Sequence, residues 1–148
     1  MKNMMIAGVL ASVATMSGAQ EAVDCDWQAR ADAIVEPWED FSRTFANGNV
    51  RLALLDTVEP AAAAFHILII SPPYDELGVR QCKTLGLGGG MGFSGVTFEA
   101  LDAAYDPSVG LIFDLPVSTY DGSSGEFISG DLLFTLNQAT GQIDAWLE

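Results

Sequence analysis

From Val50 onward, apolar and polar residues alternate with a period of two. Val50, Leu52 and Leu54 stand opposite Arg51, Ala53 and Leu55. Leu111, Phe113, Leu115 and Val117 stand opposite Asp114 and Ser118. Successive side chains leave a strand on opposite faces, so such alternation marks strands with one buried face. Ala64–Ser71 is apolar on both faces, which suits a central strand covered on each side, and Pro72-Pro73 is expected to end it. Further strands are read over Phe41–Ala46, Val79–Leu85, Thr97–Tyr105, Glu126–Leu136 and Gln142–Leu147.

The breaks between these runs carry turn chemistry. Asn47-Gly48 joins Phe41–Ala46 to Val50–Asp56, because both residue types tolerate positive φ. Asp106-Pro107-Ser108-Val109-Gly110 places proline early and glycine late. Tyr120–Gly125 reads as a polar turn, and Asn137–Gly141 as a loop ending on a left-handed glycine. Helical spacing occurs in one place, where Trp27, Ala31, Ile34, Trp38 and Phe41 recur at three- and four-residue steps. Asp24 or Asp26 is a suitable cap, and Pro37 stops the pattern, so a short helix is expected over Asp26–Ile34. The expected fold is mainly β: a single antiparallel meander of about eight strands, closed as a small barrel or folded as a sandwich, with a short N-terminal helix. An α+β fold is the alternative.

Residues 1–19 stand apart. Lys2 supplies one positive charge, Met4–Met16 is a short apolar run, and Ser17-Gly18-Ala19 offers the small residues of a cleavage site. This is the pattern of a secretory signal cleaved after Ala19, leaving 20–148 as one β-rich domain. The apolar run is too short for the roughly 30 Å of a bilayer core, and no later run, the longest being Ala61–Ile70, is long enough either, so no membrane insertion is expected after cleavage. The expected location is the periplasm or the exterior.

That address changes how the two cysteines read. Cys25 and Cys82, 57 positions apart, are expected to form a structural disulfide. The charge balance is strongly acidic, with 20 Asp and Glu against 6 Lys and Arg. Such a surface repels phosphate backbones and excludes nucleic acid as a partner class. It serves solubility in a salty exterior, or favours cations or a basic exported protein as partner.

Candidate chemistry is sparse. His66, the one histidine, lies in an apolar strand and is expected to be a hydrogen-bonded structural residue. Gly90-Met91-Gly92-Phe93-Ser94-Gly95 matches the dinucleotide fingerprint by letter, but the Gly86–Gly95 loop leads into no helix that could meet a pyrophosphate. Asp121, Ser123 and Glu126 offer hard oxygen donors in a tight turn, a calcium candidate without the alternating carboxylates of a full loop. No catalytic residue and no cofactor site is assigned. The expectation is a non-enzymatic binding module with an acidic surface. The alternatives are a small-ligand carrier with an apolar barrel cavity and a carboxylate-based hydrolase.

Overall fold

The computed structural model describes residues 19–148; the signal segment expected at the N-terminus lies outside them, apart from Ala19. The strands are β1 (Ala19–Gln20), β2 (Ala22–Asp24), β3 (Ser42–Phe45), β4 (Val50–Asp56), β5 (Phe65–Tyr74), β6 (Arg80–Leu85), β7 (Gly95–Val96), β8 (Asp102–Asp106), β9 (Gly110–Asp121), β10 (Glu126–Leu136) and β11 (Ile143–Leu147). They form two antiparallel sheets. The N-terminal sheet has the order β2-β6-β5-β4-β3. The C-terminal sheet has the order β1-β11-β10-β9-β7, with β8 paired to the same edge of β9 as β7. The fold is mainly β, and the architecture is a sandwich.

Strand neighbours in sequence pair through β3–β6 and β8–β11, as short turns require. The N-terminus departs from a plain meander. β1 pairs with β11, and after Glu21 alone β2 pairs with β6. The chain thus changes sheets at one bend and joins their edges. In the β3–β4 turn Ala46, Asn47 and Gly48 all have positive φ, at 53°, 56° and 85°. Phe45 pairs with Val50, so the loop holds four residues instead of the two of the tightest hairpins.

The sandwich interior is filled by the inward half of each alternation. Val50, Leu52 and Leu54 of β4 and Ile67 and Ile69 of β5 meet Phe113 and Leu115 of β9 and Leu132 and Phe134 of β10. Phe113 and Phe134, both fully buried, stack with centroids 4.8 Å apart. Burial of each such side chain is worth about 1.5–3 kcal/mol relative to exposure. The outward half of β4 and β5 forms a second, smaller cluster of Ala53, Leu55 and Leu68, packed by Cys25, Ala29, Ala33, Ile34, Ile70 and Cys82. The segment from Cys25 to Ile34 therefore lies over the outer face of the N-terminal sheet, while Val35 and Phe41 bond the Leu54 backbone and pack against the interior. The Cys25–Cys82 disulfide, with Cα atoms 5.3 Å apart, ties the start of the segment to β6.

Three expectations need correction. The helix expected over Asp26–Ile34 is a single 3-10 turn at Ala31–Ala33. Its flanking backbone is already committed: Cys25 N–H donates to Cys82 O at 3.1 Å and Val35 N–H to Leu54 O at 3.0 Å. Its apparent apolar stripe is also no buried face, since Trp27 and Trp38 are each 50% exposed. The prolines at 72 and 73 do not end β5, because an irregularity between Ser71 and Tyr74 absorbs them and Tyr74 pairs with Arg80. Within Thr97–Tyr105, residues Phe98–Ala100 form a 3-10 turn that buries Phe98 completely.

Candidate functional site

The outer face of the C-terminal sheet follows from register. With Leu111, Phe113, Leu115 and Val117 turned inward, Ile112, Asp114, Pro116, Ser118 and Tyr120 of β9 turn outward. Antiparallel pairing places Asp102 opposite Asp114, Asp114 opposite Leu133, and Leu133 opposite Trp146 in one row. The next row holds Ala104, Ile112, Thr135 and Asp144. Asp131 pairs with Pro116. Asp102, Asp114, Asp131 and Asp144 are all exposed on this face. At the far end Tyr120 and Phe127 form an exposed aromatic pair with centroids 5.5 Å apart.

Nothing on this sheet offsets the acids. No lysine or arginine occurs from residue 84 to the end of the sequence. Arg43, Arg51, Arg80 and Lys83 belong to β3, β4 and β6, and Arg30 to the segment over them. Asp102 and Asp114 are therefore like charges directly opposite one another, an arrangement that destabilises a strand pair by about 0.2–1 kcal/mol. The basic residues are confined to the N-terminal sheet and the segment over it, so the four aspartates of this face have no lysine or arginine on their own strands.

His66 and the glycine loop, separate in sequence, occupy one place. His66 lies on the outward face of β5, opposite Leu55. Gly92 N–H donates to Ala63 O at 2.8 Å, and Phe93 pairs with Phe65, which lays the loop along the start of β5. Gly86 and Gly92 leave room for the imidazole: a Cβ at Gly86 would lie 2.8 Å from Nδ1, and one at Gly92 2.8 Å from Nε2. Trp27 stands edge-on to the ring at 6.4 Å. His66 is only 3% exposed, and Nε2 is buried with no hydrogen-bond partner among the described residues. At Nε2 the hydrogen bond expected of a structural histidine is not seen. Burial, which disfavours the imidazolium, lowers its pKa. The loop runs on to β7, not into a helix, so Gly90–Gly95 has no dinucleotide geometry.

The Asp121 turn closes on itself. The Asp121 carboxylate accepts from Ser123 N–H at 2.9 Å, Ser123 Oγ at 2.7 Å and Ser124 Oγ at 3.1 Å. These bonds, that of the Ser123 hydroxyl first, hold the carboxyl below its ordinary pKa. Among the described residues no three His, Cys, Asp or Glu side chains are grouped to hold a metal ion. The described residues also contain no helix long and apolar enough to cross a membrane.

Sequence reasoning missed a groove on the outer face of the N-terminal sheet, about 380 Å³ in volume. Ile34 and Trp38 wall it, Ala53, Leu68 and Ile70 floor it, and Ser42, Arg51 and Glu39 bring polar groups to it. The sequence signal is Trp38-Glu39 directly after Pro37, of which Trp38 also fits the helical spacing.

No known protein family, curated protein or solved structure matches this chain.

Proposed function

We propose that the protein is an exported, non-enzymatic interaction module that presents the outer face of its C-terminal sheet to a basic protein partner. The observation that carries this reading is the confinement of the basic residues to the other sheet. Four exposed aspartates share a face with exposed aromatic residues, on a sheet whose strands supply no lysine or arginine. Two of those aspartates oppose each other directly, at a cost to the free protein that a cationic partner would relieve. Complementary charge of this kind accelerates encounter and rejects acidic competitors. Export is supported by the Cys25–Cys82 disulfide, which persists in oxidising compartments, together with the signal-like residues 1–19.

The small-ligand carrier with a barrel cavity is less well supported, because the space between the sheets is occupied by fully buried Phe93, Phe98, Phe113 and Phe134. The test compares capture from the exported fraction of the native cells by the natural protein and by a variant with Asp102, Asp114, Asp131 and Asp144 changed to Asn. The reading expects one basic protein retained by the natural chain at low salt, released at high salt and absent from the variant. Retention that is insensitive to both salt and substitution would overturn it.

A further inference from the structure

We infer that the groove over the outer face of the N-terminal sheet is a binding site for a small zwitterion with an apolar body, of the kind represented by an aromatic amino acid. The site is distinct from the acidic face and lies on the opposite side of the sandwich. Asp40 N–H donates to Pro37 O at 3.0 Å, so Trp38 and Glu39 occupy the two central positions of a turn laid across the sheet. Trp38 is 50% exposed above a floor of Leu68 and Ile70, with Ile34 beside it. Binding sites for small molecules are concave, mostly apolar and fitted with a few fixed polar groups, commonly at about 300–1,000 Å³. At about 380 Å³ this groove falls in that range.

The charges select the ligand. Arg30 and Lys83 are ion-paired to Asp32 and Asp24. Arg43 and Arg80 donate to backbone carbonyls. Among the described residues the Arg51 side chain donates to Ser42 Oγ alone, at 2.7 Å, and no carboxylate lies within ion-pairing distance of it. Glu39 lines the same groove and likewise has no ion pair among the described residues. A groove with one unpaired guanidinium and one unpaired carboxylate matches a ligand that carries one charge of each sign. The carboxylate of such a ligand would take the guanidinium in a charge-assisted bond, its ammonium would face Glu39, and its apolar group would lie against Trp38. A neutral zwitterion also avoids the repulsion that a chain of net charge −14 exerts on a free anion. Glu39 would reject a plain anion and Arg51 a plain cation.

The experiment titrates the purified protein with L-phenylalanine, phenylacetate and phenethylamine, read by calorimetry and by the indole N–H resonance of Trp38. The inference expects phenylalanine to bind best and to shift that resonance. It expects Arg51→Gln and Glu39→Gln each to weaken phenylalanine about tenfold, the worth of one charge-assisted bond. Both residues are exposed, so unchanged thermal unfolding of the variants separates loss of binding from loss of fold. Absence of phenylalanine binding at millimolar concentration would overturn the inference. So would binding of phenylacetate or phenethylamine as tight as that of phenylalanine, or binding untouched by both substitutions.

Discussion

Replacing Cys25 and Cys82 together by alanine opens a loop spanning 57 positions and leaves the surrounding native contacts in place. Cys25 N–H still donates to Cys82 O, and Lys83 Nζ still lies 2.7 Å from Asp24. That ion pair is largely exposed on the aspartate side and holds less than about 1 kcal/mol. The main effect therefore falls on the unfolded chain, which regains the entropy that closing a loop of this length removes, about 4 kcal/mol. Loss of sulfur packing against Ala53, Leu55 and Leu68 adds to it. Domains of this size are stable by about 5–15 kcal/mol, so the variant loses a large share of the total. Urea unfolding followed by tryptophan fluorescence measures it. With m near 1.5 kcal/mol per M, the midpoint should fall by about 2–3 M, and m itself should rise because the unfolded chain is more expanded. A loss below about 1 kcal/mol would refute the reasoning.

Two further predictions concern the enclosed imidazole. His66 has a lowered pKa in the folded protein, so between that value and the ordinary 6.5 the unfolded chain binds more protons. Its contribution to stability is complete above pH 6.5 and is lost as pH falls through the folded value; the natural protein should lose more stability over that window than His66→Gln, and parallel curves would contradict this. Gly92→Ala would bring a Cβ against the Phe65 carbonyl, 2.8 Å from His66 Nε2 and 2.9 Å from Ala63 O. It should destabilise by about 1–3 kcal/mol. Gly122→Ala, whose Cβ meets nothing closer than 4.0 Å, should be nearly silent in the same denaturation assay.

The strands of the sandwich were legible because one buried face imposes a period of two. β9 shows it residue by residue, β4 shows it only until its outward Ala53 and Leu55 are covered in turn, and β5, central in its sheet, is apolar on both faces around His66. The helix does not form, because Trp27, Ile34 and Trp38 have helical spacing while the backbone at Cys25 and Val35 is held by Cys82 and Leu54. Spacing records side-chain type alone; the competing hydrogen bonds come from residues far away in sequence. The same limit hid the meeting of His66 with Gly86 and Gly92, which depends on the loop after β6 returning along β5. The absence of basic residues after Lys83 was readable directly, but its meaning required knowing that β7–β11 share one sheet.

The central claim is that the C-terminal sheet keeps opposed, uncompensated acids on one face for a cationic partner. The most direct measurement is a double-mutant cycle on the stability of Asp102→Asn, Asp114→Asn and the pair, at low and high salt. Each single change should stabilise the free protein by about 0.2–1 kcal/mol, the double variant should gain less than the sum of the two, and high salt should shrink the effect. Destabilisation by either single change, or additive effects indifferent to salt, would contradict the account.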